Sequence, residues 1–235
     1  MMSPKNAAVL VNHFISNSSF LISWSAYDSS IRTDLTSNAL LTPEGWWLVD
    51  PIHAGHTQVF FVQDVAPGFA RGVPPVFSEE DFFEEILKKA PVLGILLTNE
   101  NHERASYKLS EKMHWPIHAH EIMRGYIEIK PDFFFHDNEK LKGGIEAIHI
   151  PGATMAETCF YDSRNRVLMM GDALINLKET GFTFLPDKYC KDPVLAKKSL
   201  QCLITREFDI LTFSHGYPLR PDAQKRFQEL IATMI

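Results

Sequence analysis

Four short segments of this sequence carry side chains that could do chemistry together. They are Asp50, which closes Trp46-Trp47-Leu48-Val49, the polar loop from Thr98 to Arg104, the pair Gly171-Asp172, and Ser214-His215-Gly216. Each follows an apolar run of strand-like composition, and strand ends commonly line sites. Carboxylates and imidazoles gathered at such ends offer two chemistries. One is coordination of a divalent ion; the other is metal-free acid/base work by His102 or His215 with a carboxylate.

The other histidines are weighed against the same chemistry. His118 and His120 lie two apart on one strand face, but no carboxylate or third histidine is placed to complete a ligand set, so an ordinary strand is the reading. His53 and His56 follow Asp50 and read as solvated loop residues; with His102 they would be the makings of a relocated metal site. His149 projects to the opposite strand face from Ile148 and Ile150 and is assigned a local hydrogen bond. Glu157, opening a strand, is read as solvent-facing. Phe133-Phe134-Phe135 and Trp46-Trp47 are read as core or pocket walls.

The elements that must position these groups are legible in pattern. Leu40 to Thr42 and Trp46 to Asp50 flank Pro43-Glu44-Gly45 and predict a β-hairpin, and Pro67 to Pro75 reads as a loop. Ser78 caps a helix whose first turn is acidic and whose end carries Lys88 and Lys89; Asp81 completes a capping box and Phe77 can staple against Phe82. Val92 to Leu97 predicts a central strand, Arg104 to Met113 a helix, and Pro116 to His120 a strand. Ile145 to Ile150, Thr158 to Tyr161 and Val167 to Met170 are further strands, the last two joined through Asp162-Ser163-Arg164-Asn165. Asp192 with Pro193 starts a helix to about Thr205, Ile210 to Phe213 is a strand, and Pro221 to Met234 is a closing helix.

Composition bounds the answer. The chain has 235 residues, 45% hydrophobic and 22% charged, with no repeat and no linker signal, so one domain over residues 1–235 is expected. Lys+Arg 23 against Asp+Glu 29 leaves a net charge of −6, which supplies no footprint for nucleic acid or an anionic membrane. Three cysteines without C-x-x-C spacing argue against a disulfide framework or a thiolate zinc site and fit a cytoplasmic protein. The apolar run Ala7 to Val11 is too short for a signal segment, and Met1 to Phe20 is left as a stretch whose order the sequence does not define.

Taken in order, with Pro151-Gly152-Ala153-Thr154 between the second and third segments, the pattern resembles the metallo-β-lactamase superfamily from about residue 40 to residue 235. The resemblance implies an αββα sandwich, two mixed sheets flanked by helices, and a two-metal hydrolytic centre. That family's loop reads His-x-His-x-Asp-His; here it is Asn99-Glu100-Asn101-His102-Glu103-Arg104. Asn99 and Asn101 stand for two ligand histidines, Glu103 for the aspartate and Arg104 for the last histidine, while His102 falls on a spacer. Ala153 stands where Pro-Gly-His-Thr has histidine. Asp172 and His215 match outright.

Amides are poor zinc ligands, and Arg104 is a permanent cation. The expectation is therefore a degenerate dinuclear site with no metal cofactor, its cleft formed by Asn99, Asn101, His102, Glu103, Arg104, Ala153, Asp172 and His215. Such a protein would bind a small molecule, an anion held by Arg104, Asn99 and Asn101. The alternative is an active hydrolase of an ester, thioester or amide using one divalent metal such as zinc at Glu103, Asp172 and His215, or a relocated site. Arg104 is expected to form an ion pair with Asp172, Glu103 or both. A fold kept for a homo-oligomeric interface is the third possibility.

Overall fold

The computed structural model describes residues 19–55, 57–61 and 78–234. The strand at Trp46 to Val49 shows how the sequence builds layers. Trp46 and Leu48 point one way, joining Ile95 and Leu97 against Phe82, Phe83, Ile86 and Leu109. Trp47 and Val49 point the other way, joining Leu96, Phe160, Val167, Met169 and Ile210. A strand apolar on both faces must be covered on both, here by helices on one side and a second sheet on the other. The second sheet turns Leu168, Met170, Leu211 and Phe213 onto a further layer with Leu200, Leu203, Phe227 and Ile231. The result is an αββα sandwich.

The first sheet contains β1 (Leu21–Asp28), β2 (Thr33–Thr42), β3 (Gly45–Val49), β4 (Gln58–Phe61), β5 (Val92–Leu96), β6 (Ile117–His120) and β7 (Phe133–Phe135) in the order β4-β1-β2-β3-β5-β6-β7. β1, β2 and β3 pair antiparallel, whereas β3, β5, β6 and β7 run parallel. The second sheet contains β8 (Glu146–His149), β9 (Thr158–Asp162), β10 (Val167–Met169) and β13 (Ile210–Thr212) in the order β13-β10-β9-β8, with β10 and β13 parallel. A separate hairpin, β11 (Leu174–Leu177) with β12 (Gly181–Phe184), follows Asp172. Among the described residues the α-helices are α1 (Glu79–Lys89), α2 (Ser106–Met113), α3 (Pro193–Ser199) and α4 (Ala223–Ala232).

The predicted hairpin is β2–β3, and Ser78 caps α1 in a reciprocal box with Asp81. Phe77, the Pro67 to Pro75 loop and residues 1–18 lie outside the described residues. Several boundaries differ from expectation, three of them at helix ends with a plain backbone reason. α2 begins at Ser106 because Arg104 sits at φ 42°, in the left-handed region that a helix cannot include. α4 begins at Ala223 because Asp222, at φ 63°, is left-handed as well. α3 ends at Ser199 and continues to Leu203 only as a tighter 3₁₀ turn. β1 and the β11–β12 hairpin have no counterpart among the elements expected from pattern. Among the described residues no helix is long and apolar enough to cross a membrane.

Candidate functional site

The parallel strands β3 and β5 end side by side, delivering Asp50 and the Thr98 to Arg104 loop to one edge of the sandwich. The parallel strands β10 and β13 deliver Asp172 and Ser214-His215 to the same edge. The two sheets are stitched there: Thr36 N–H donates to Ser214 C=O at 2.8 Å, and the Thr36 hydroxyl donates to Gly216 C=O at 2.9 Å.

Three side chains converge at this edge. His102 Nε2 and His215 Nε2 each lie 3.2 Å from Asp172 Oδ1, and the three ligand atoms all lie within 4.8 Å of one another. Neither imidazole contact has hydrogen-bond geometry, and Asp172 Oδ1 is a buried acceptor without a hydrogen bond. His102 is 4% exposed, while Asp172 and His215 keep 13% and 14% of their side chains open.

Each of the three has a supporting partner. The second ring nitrogen of His102 lies 2.9 Å from Asp50 Oδ2. That of His215 lies 3.0 Å from Asp34 C=O. A carbonyl only accepts, so His215 carries a proton on Nδ1 and presents Nε2 to Asp172. Asp172 Oδ2 accepts from Asn99 Nδ2 at 3.3 Å, and the Asp172 amide donates to Glu157 Oε1 at 2.5 Å.

Electrostatics follow from burial and crowding. Burial and the Arg104 guanidinium push the His102 imidazole down, but the Asp172 and Asp50 carboxylates prevail and lift it to about 9. Burial alone would raise Asp172, yet the charge of His102 first, with His215 beside it, holds it well below the usual carboxylate range. Glu157, fully buried beside Asp172, is pushed up to about 8 by burial and then by that charge. The carboxylates on either side thus favour the protonated form of His102 in the metal-free chain.

The structure redraws the expected cleft. Arg104 does not pair with Asp172 or Glu103. Its guanidinium donates to Thr36 C=O (2.8 Å), Asp50 C=O (3.1 Å) and Ser214 C=O (3.2 Å), because its left-handed backbone turns the side chain under the loop instead of into the cleft. Glu103 faces away, accepting from Glu128 N–H at 2.6 Å, so His102 stands beside Asp172 and His215 in its place. Asn101 is exposed, and its amide N–H closes onto Asn99 Oδ1. Ala153 is buried and offers no side-chain donor.

His53 pairs with Glu79 at 2.9 Å, away from the cluster, and His56 lies outside the described residues. His118 packs between Trp47 and Phe133, and His120 stacks on His149 with ring centroids 4.7 Å apart. His149 makes the local bond expected of it, to Met155 C=O at 2.9 Å.

Glu157 is the residue that sequence reasoning misplaces. It is buried, and its carboxylate also accepts from Ala173 N–H (3.2 Å), Asn99 Nδ2 (3.0 Å) and the Thr154 hydroxyl (3.3 Å). A signal is present in Gly171: a Cβ there would stand 2.3 Å from Glu157 Oε1 and 2.8 Å from Thr98 Oγ1, so the position is kept bare for the carboxylate.

The layer order and this edge-on cluster define the class. The chain has the metallo-β-lactamase fold. It superposes on the DIM-1 metallo-β-lactamase with a TM-score of 0.66 at 14% identity, covering 94% of this chain and 96% of that one. A metallo-β-lactamase from Pontibacter korlensis gives 0.65 at 16% identity, covering 92% and 97%. A metallo-β-lactamase family protein from Thermus thermophilus gives 0.59 at 18%, covering 91% and 79%. No protein-family profile and no curated protein sequence matches the chain.

The donor set can be tested against the metals this fold implies. A two-ion centre does not fit: Asn99 spends its amide on carboxylates, Ala153 has no donor, Glu103 faces away and Arg104 is bonded elsewhere. A single ion does fit, because two imidazoles and one carboxylate oxygen without a hydrogen bond converge on one point.

Proposed function

We propose that this chain is a hydrolase-like protein whose cleft takes one divalent metal ion, held by His102, Asp172 and His215, and acts on an ester, thioester or amide carbonyl. The observation that carries the reading is Asp172 Oδ1, buried without a hydrogen bond and flanked at 3.2 Å by two imidazole nitrogens. A bound ion would supply Lewis-acid polarisation of the carbonyl and a more acidic coordinated water.

The chain's own residues supply the rest. Asp34 C=O and Asp50 hold the two rings, Asn99 steadies the free oxygen of Asp172, and Glu157 anchors the Gly171 to Ala173 turn that aims it. Asp172 and His215 form the partly open side and face the incoming molecule, with His102 behind them. The anion-binding alternative has less support, since Arg104 and Asn99 direct their donors inward. The net charge of −6 and the free cysteines Cys159, Cys190 and Cys202 favour a small-molecule substrate in the cytosol.

The test is a panel of aryl esters, thioesters and amides, β-lactams included, offered to the full chain after zinc loading. Turnover of one class that falls at least 100-fold in Asp172→Ala is expected. Turnover indifferent to that substitution, or none with a zinc-loaded protein across all three classes, would overturn the hydrolytic reading.

A further inference from the structure

His102 stands at a position that is a spacer in the loop pattern of this fold, so something outside that pattern must turn it into a ligand. The surroundings of its Nδ1 settle the direction of the ring. Asp50 Oδ2 lies 2.9 Å away and Thr98 Oγ1 also lies 2.9 Å away. The Thr98 hydroxyl gives its own hydrogen to Asp50 Oδ2 at 2.5 Å, which leaves it an acceptor toward the ring. Asn99 Nδ2, at 3.3 Å, has its hydrogens directed to Glu157 and Asp172. Nδ1 is thus met by acceptors and carries a proton, and Nε2 is the nitrogen that faces Asp172.

Asp50 is itself held hard. Oδ1 accepts from Thr98 N–H at 2.8 Å and Oδ2 from the Ser214 hydroxyl at 2.7 Å. Its own carbonyl accepts from the Ser37 hydroxyl and from Arg104, and its backbone sits at φ 48°.

We propose that Asp50 is the positioning residue that makes His102 a metal ligand, by fixing the proton on Nδ1 and presenting Nε2 to the site. The inference rests on the one-ion reading. An outer carboxylate on a ligating imidazole sets tautomer and orientation, and its loss costs roughly 10–100-fold in metal affinity. Asparagine at position 50 would turn an amide N–H toward Nδ1 and move the ring proton to Nε2.

The experiment combines histidine-¹⁵N NMR and zinc titration of the full chain, as wild type and as Asp50→Asn, with His102→Gln to assign the signals. Expected are a protonated Nδ1 on His102 in wild type, metal-free or loaded, its loss in Asp50→Asn, and zinc affinity about 10–100-fold weaker in that variant. An unprotonated Nδ1 in wild type overturns the proposal, as does unchanged zinc affinity in Asp50→Asn. Should the variant not fold, the wild-type Nδ1 signal decides alone. Wild type that takes up no zinc while Nδ1 is protonated overturns the metal reading and leaves the Asp50–His102 arrangement standing.

Discussion

Arg104 reaches Ser214 across 110 positions of sequence, its Nη2 donating to the Ser214 carbonyl at 3.2 Å while Nη1 holds the carbonyls of Thr36 and Asp50. One guanidinium so joins the first half of β2 to the ends of β3 and β13, two sheets in all. A planar fork with several donors suits three carbonyls in a way that an ammonium does not.

Arg104→Ala removes the guanidinium from three inward-facing carbonyls, of which Asp50 keeps the Ser37 hydroxyl and Ser214 the Thr36 amide as donor. The expected loss is about 3–5 kcal/mol of unfolding free energy. Arg104→Lys should recover less than half of it, because one point charge cannot serve three acceptors. Urea denaturation of the metal-free chain reads this directly, and a midpoint within error of wild type for the alanine variant would sink the account of Arg104.

Gly171→Ala is expected to injure the cluster without touching a ligand. Its Cβ would stand 2.3 Å from Glu157 Oε1, so either the carboxylate or the turn carrying Asp172 must move. Destabilisation of about 1–3 kcal/mol should accompany a loss of zinc affinity. Retained stability with full affinity would show that the turn is not set by Glu157.

Away from the cleft, His120 predicts an acid sensitivity. Burial, with His149 stacked beside it, holds its imidazole down to about 4, against 6.5 for the free side chain, and its Nε2 has no hydrogen-bond partner. The folded pKa lies below the unfolded one, so the unfolded chain binds the extra proton. The contribution is complete above about pH 6.5 and is lost as pH falls toward 4. His120→Phe should flatten the decline in melting temperature between about pH 6.5 and pH 4.5 relative to wild type. An equally steep decline in the variant would assign the acid sensitivity to other groups.

The fold is legible in particular residues. Trp46 to Val49 and Val92 to Leu97, apolar on both faces, require layers on both sides, and Ser78 with Asp81 marks a helix start that the structure keeps. The ends of β3, β10 and β13 also give Asp50, Asp172 and His215 as neighbours around His102. Less legible is Glu157. A glutamate opening a strand is ordinarily solvated, and the donors that allow its burial come largely from Asn99, Asp172 and Ala173, remote in sequence. Arg104 is legible as a cation but not as to its partners, since backbone carbonyls leave no mark in a sequence. His102 reads as a spacer because nothing local announces the left-handed turn at Arg104.

Metal content decides the central claim. Full chain purified without chelator, dialysed against a slight excess of zinc and then freed of unbound ion, should carry one divalent ion per chain by elemental analysis. The content should fall below a tenth in Asp172→Ala and in His102→Gln. Two ions per chain, one ion retained by His102→Gln, or none in wild type would contradict a single-ion site at His102, Asp172 and His215.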